Sequence, residues 1–250
     1  MAFQRTYIFI FLILSFFNVY ATPLNYPNTI SIIDQSTNSN DKAQIINCIL
    51  ESYKKTILFF DTNFNVKFIF VTENYTDACT NLGFEIPEIS LNTNYFEKYD
   101  KSAMELVIIH ELIHAYQASN TNIKLWSNSI AIYLFLEGFA TYISSLIIPS
   151  YPEWKYINYY ADTNNEYQIF LREKEKALKY LQTNLEISNI SARNMLFTFD
   201  NQIDRYLPKR IGYFLGFRIV KNIVESSNTN ILSISEAEFI SKIMQYRTTP

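Results

Sequence analysis

Only two histidines occur in the 250 residues, and both fall in the segment Ile109-His110-Glu111-Leu112-Ile113-His114. The pattern is H-E-x-x-H. On a helix, His110 and His114 share a face one turn apart, so both imidazoles can reach a single Zn²⁺. Glu111 lies beside them and can take a proton from a metal-bound water. A lone histidine on an apolar helix is usually a hydrogen-bonded core residue, but a chain this poor in histidine rarely spends both on one motif by chance. A third ligand is offered by Glu137, in the run Glu137-Gly138-Phe139-Ala140-Thr141-Tyr142. Burying an unpaired carboxylate among such apolar neighbours is costly, and coordination to a metal removes the cost; a solvent-facing position is the alternative.

Two histidines and one carboxylate leave a fourth tetrahedral position open, the pattern of a catalytic rather than a structural zinc site, with one zinc per chain. Zinc lowers the pKa of water towards about 7 and polarises a carbonyl. Glu111 would accept the water's proton and deliver it to a leaving amine. The oxyanion needs a further stabiliser, for which Tyr213 or Arg210 is available; helix packing is an equal reading of both.

These residues need elements to hold them. Ser102-Ala103-Met104-Glu105 is a capping box, S-x-x-E, that predicts the start of a helix running to about Ala118. Leu112, Ile113 and Ala115 make the surroundings of the histidines apolar, so a cation's field is strongly felt there. A polar loop, Ser119 to Lys124, leads past Trp126 to a second helix, Ser129 to Ile147, that carries Glu137 and ends before Pro149. Upstream, Ile45, Ile46, Ile49, Leu50 and Tyr53 recur at helical spacing from Asp41 to about Thr56. Val66–Val71 and Glu88–Asn92 read as strands, with a short one at Ile30–Ile33 and a loop from Asn74 to Gly83 that holds Cys79. Downstream, the four tyrosines and Trp154 of residues 151–160 suit packing between helices. Helices are expected over 166–181, 191–199 and 210–224, the last with Pro208 at its first turn, and from Ser235 onward. The fold class is α+β and predominantly helical: an α/β part over 22–100 with a small sheet, then a helical part over 101–250 that carries the site. The length suits one domain, or one domain with two lobes around a cleft.

The net charge of −3, with no basic cluster, gives no support for a nucleic-acid partner. Residues 1–21 read as a signal peptide: Arg5, an apolar run from Tyr7 to Phe17, and small residues Val19 and Ala21 that predict cleavage before Thr22. The mature charge is then −4, because Arg5 is the only charge lost. The apolar run is short for a bilayer span, and an uncleaved anchor is the alternative. Export to a secreted or extracytoplasmic compartment, periplasmic in a Gram-negative bacterium, permits a bridge between Cys48 and Cys79; two free thiols are the other reading. Asn74-Tyr75-Thr76 and Asn189-Ile190-Ser191 are glycosylation sequons, meaningful in a eukaryotic secretory pathway.

The pair His110-Glu111-Leu112-Ile113-His114 and Glu137-Gly138-Phe139-Ala140 resembles the gluzincin metallopeptidases, and its second half is similar to the E-G-F-A of the aminopeptidase N group. The wider layout, with Arg210-Ile211-Gly212-Tyr213-Phe214-Leu215-Gly216 near the end, resembles small predicted Zn-dependent proteases. The resemblance is specific over 102–146, weaker over 207–224 and absent over the first hundred residues. It implies a zincin-like fold, zinc on His110, His114 and Glu137, and Glu111 as the catalytic base. It also implies a peptide or protein substrate, with Glu88–Asn92 as the edge strand that pairs with it. Four features depart from the pattern. The 22 residues between His114 and Glu137 slightly exceed the usual spacing. Thr141 stands where some relatives place an acid that orients a ligand histidine. No G-x-M-E-N-like segment precedes the helix, and no glycine-plus-third-histidine extension follows His114. By elimination the expected activity is endopeptidase; a zincin-like binding protein without hydrolysis is the alternative.

Overall fold

The computed structural model describes residues 9–10, 30–35, 42–72, 78–121, 123, 130–157, 164–185, 194, 196–197, 206–226 and 230–247. The expected cleavage point before Thr22, the rest of the leader apart from 9–10, Trp126, both sequons and most of 191–199 lie outside them. The chain divides into two compact units, Met1–Ser119 and Asn120–Pro250. Among the described residues it is predominantly helical, with one small mixed sheet.

In the first unit, β2 (Ile30–Asp34), β3 (Val66–Val71), β4 (Ala78–Asn81) and β5 (Glu88–Asn92) form the sheet, and the two-residue β1 (Phe9–Ile10) pairs with β2. The order is β1-β2-β3-β5-β4. β2 and β3 run parallel because α1 (Lys42–Phe60) makes the crossover between them, as parallel neighbours require. The α1 residues Ile45, Cys48, Ile49, Ser52, Tyr53, Thr56 and Ile57 are buried, a stripe at helical spacing. β3 buries alternate residues Val66, Phe68 and Phe70.

β5 pairs parallel with β3 and antiparallel with β4. This overturns the expected edge: Glu88–Asn92 is interior, and among the described strands β4 is the free edge on that side. Ala78–Asn81 had read as loop because its four residues, Ala-Cys-Thr-Asn, carry no apolar alternation. Of the two readings left open for the cysteines, the structure has the free thiols: Cys48 buried on α1 and Cys79 exposed on β4. Burial pushes the Cys48 thiol up to about 11, which keeps it protonated and inert.

A short α2 (Thr93–Phe96), capped by the Asn92 side chain on Asn94 N–H, turns the chain from β5 towards α3 (Lys101–Asn120). The capping residue of α3 is Asp100 rather than Ser102. Its Oδ1 accepts from Ala103 N–H at 2.7 Å and from the Ser102 hydroxyl at 2.6 Å, while Glu105 pairs with Lys55. From Ala103 to Ala118 every α3 residue except Glu105 is buried, so this is a core helix without a solvent face.

The second unit is built on α4 (Ile130–Ile147), with α5 (Glu153–Ile157), α6 (Asn164–Asn184), α7 (Ile211–Ser226) and α8 (Glu236–Gln245). The α4 segment is long and apolar enough to cross a membrane by composition, but 61% of it is buried inside the protein, as expected of a core helix. α7 begins at Ile211, so Pro208 stands ahead of its first turn rather than in it. Ser235 caps α8 through Glu238 N–H, as the sequence predicted. Glu153 joins three helices: its carboxylate accepts from the Tyr167 hydroxyl of α6 and pairs with Arg218 (2.8 Å) and Lys221 (3.1 Å) of α7. Burial alone would raise its pKa, yet those three donors outweigh it and hold Glu153 below the usual carboxylate range.

Candidate metal centre

The metal motif lies on the helix it requires. His110 and His114 sit one turn apart on α3, both buried, with rings nearly perpendicular. Their Nε2 atoms face each other at 3.1 Å. Two ligands of a tetrahedral zinc with bonds of about 2.05 Å stand roughly 3.3 Å apart, so the pair is already close to the spacing a shared ion would impose. One ligand atom each from His110, His114 and Glu137 lie within 4.8 Å of one another, a group that could bind a metal. Two imidazoles and a carboxylate are a donor set that suits zinc. On donor chemistry and spacing the residues fit the ion.

Gln117 was missed by sequence reasoning although its position was readable. It lies one turn beyond His114 on the same face, fully buried, with Oε1 at 2.9 Å from His114 Nδ1. An amide oxygen only accepts, so Nδ1 carries the proton and the lone pair of neutral His114 is on Nε2, the atom aimed at His110. Gln117 is thus the described side chain that meets the outer ring nitrogen of His114. Thr141, which takes that acid's place, is fully buried, and its hydroxyl has no hydrogen-bond partner among the described residues. Replacing Gln117 by Leu is expected to weaken zinc binding about 10–100-fold with little change in fold. Competition against a chromophoric chelator measures it; an unchanged zinc affinity would remove Gln117 from the site.

Glu111 is buried beside the histidines and is held by a residue from the sheet. The Thr80 hydroxyl stands 2.5 Å from Glu111 Oε2 and 3.1 Å from the Glu111 carbonyl oxygen. Nothing in the sequence pointed to Thr80, 31 positions away. Tyr116, the neighbour of Gln117, stacks on Phe60 with centroids 3.6 Å apart, and burial raises its pKa, so it packs as a neutral phenol.

In the second unit, Glu137 is half-buried on α4, between a fully buried face and solvent. Gly138 beside it meets Gly216 of α7 backbone to backbone: a Cβ on Gly138 would fall 2.4 Å from the Gly216 carbonyl carbon and oxygen. The residues after Glu137 are therefore fixed by a glycine-to-glycine helix contact, which large side chains would exclude.

Arg210 and Tyr213 stand together at the start of α7. Arg210 is the residue immediately before the helix, buried, with a left-handed φ of 56° that is unusual without glycine. Its guanidinium lies 4.0 Å over the Tyr213 ring, whose backbone N–H bonds the Arg210 carbonyl at 3.0 Å. Tyr213 also meets Phe197 edge-on. These contacts account for the pair as packing, and their part in chemistry belongs to the functional proposal.

No curated protein matches the chain. A family model described as predicted Zn-dependent protease (DUF2268) matches residues 45–242, which take in α3, α4 and α7 and all the candidate site residues. With most of its length covered, the chain belongs to this family of predicted Zn-dependent proteases.

Proposed function

We propose that the protein is a secreted, zincin-like metallopeptidase of the gluzincin type, which hydrolyses peptide bonds within a protein or peptide chain. The observation that carries this reading is the grouping of His110, His114 and Glu137, one ligand atom from each lying within 4.8 Å of the others, with Glu111 adjacent in sequence to the first of them. A zinc ion bound there supplies Lewis acidity, making water more acidic and a carbonyl more electrophilic. Glu111 takes the proton from the attacking water and passes it to the departing amine nitrogen as the C–N bond breaks. His114 is kept in its ligating tautomer by Gln117. Arg210 or Tyr213 stabilises the oxyanion. An extended substrate segment pairs with the sheet edge at β4, where backbone groups supply affinity without side-chain selectivity. Residues 1–21 direct export and are removed before Thr22.

The deciding experiment joins metal analysis to cleavage-site mapping on one preparation of the exported protein. About one zinc per chain and cuts inside an unfolded protein, abolished by a chelator and restored by zinc, are the expected results. Full zinc loading with no cut product from a broad peptide library would point instead to a binding protein. Release of terminal residues alone would replace endopeptidase by exopeptidase. N-terminal sequencing of the same preparation reads the leader, and an intact Met1 would argue for a retained anchor.

A further inference from the structure

A short polar contact to Glu111 comes from the sheet. Thr80 Oγ1 is 2.5 Å from Glu111 Oε2 and 3.1 Å from the carbonyl oxygen of the same residue. A hydroxyl has one proton to give, and the carboxylate is both nearer and the stronger acceptor. Oε2 is thereby occupied and fixed in direction.

The strand register says what else Thr80 does. Lys67 N–H bonds the Pro87 carbonyl, so in β5 the backbone groups of Pro87, Ile89 and Leu91 point to β3 and those of Glu88 and Ser90 point to β4. Their β4 partners are Asn81 and Cys79. The residue between them, Thr80, therefore turns its own N–H and C=O away from β5, towards the side on which no described strand lies, while its side chain turns to α3. One residue presents backbone groups to an incoming extended chain and a hydroxyl to Glu111.

We propose that Thr80 is a positioning residue: its hydroxyl holds Glu111 Oε2 and so fixes the direction of the carboxylate that acts as base, and its place on the edge strand keeps base and substrate in one register. This rests on the hydrolytic reading above. Because the backbone of Thr80 survives any side-chain substitution, loss of the hydroxyl acts on the chemical step and spares substrate binding.

The test compares wild type, Thr80→Val and Thr80→Ser as zinc-loaded full-length protein, on one peptide taken from a mapped cleavage site. Thr80→Val, close in shape but without a donor, is expected to lower kcat on the order of 10–100-fold, with KM, zinc content and Tm close to wild type. Thr80→Ser, which keeps the donor, should recover most of kcat. An undiminished kcat in Thr80→Val overturns the proposal. So does a parallel fall in zinc content and Tm that Ser fails to repair, because Thr80 would then only tie the sheet to α3. A wild type that binds zinc and cuts nothing overturns the hydrolytic reading itself, an outcome read before either variant is made.

Discussion

Replacing Glu111 by Gln should lower peptide-bond cleavage by about 10²–10⁴-fold, the usual contribution of a positioned general base, while one zinc per chain is retained. The geometry makes this a clean substitution. Gln keeps the shape of the side chain, and its amide oxygen can still accept from the Thr80 hydroxyl that now meets Oε2. His110 and His114 keep their facing Nε2 atoms. What disappears is the capacity to accept a proton. His114→Ala provides the contrast, since it deletes one of the two facing nitrogens and the contact to Gln117 Oε1, so the metal should be lost first and activity with it. Metal analysis and initial rates on the same samples separate the two variants. Equal cleavage by Glu111→Gln would end the assignment of Glu111 as base.

The sequence was most readable where chemistry and local period coincide. H-E-x-x-H requires a helix, and α3 is that helix; the strands at 66–71 and 88–92 occur with the expected bounds, the first as an apolar run between turn residues and the second from its alternating Ile89 and Leu91. Local competition was less readable. Ser102 matched a capping pattern, yet Asp100 lies two residues earlier with a stronger acceptor and takes the role, leaving Glu105 to Lys55. Spatial order was least readable. A four-residue strand with no apolar alternation carries no periodic signal, so neither β4 as the sheet edge nor Thr80 as the partner of Glu111 could be found before the register was known. Gln117 differs from Thr80 in this respect, because its spacing of three from His114 on a helix already put the two on one face. The bound on such reading is sequence separation: contacts within a helical turn follow from spacing, and contacts across a sheet do not.

Gly138→Ala should be the most damaging single methyl that can be added near the site. The new Cβ would fall 2.4 Å from the Gly216 carbonyl carbon and oxygen and 2.7 Å from its Cα, all backbone atoms that cannot rotate aside. Relief requires α4 and α7 to separate by about 1 Å, to reach ordinary van der Waals contact near 3.5 Å. Overpacking of this kind costs typically 1–3 kcal/mol and occasionally more, against a gain of about 1 kcal/mol from better helix propensity. With backbone atoms on both sides of the clash the cost falls at the upper end of that range, and a net loss of about 2 kcal/mol lowers Tm by roughly 4–8 °C for a chain of this size. Gly216→Ala has more room, its nearest contact being the Leu134 carbonyl oxygen at 2.9 Å, and should cost less. The order matters more than the size, because propensity alone would make both variants more stable than wild type. Zinc affinity should follow the same order, since Gly138 directly follows Glu137 and any shift of that turn carries the carboxylate with it. Thermal unfolding and chelator competition on both variants read the two effects independently. A Gly138→Ala protein as stable as wild type would mean that the two helices do not meet at these glycines, whereas a destabilised one with unchanged zinc affinity would take Glu137 out of the ligand set.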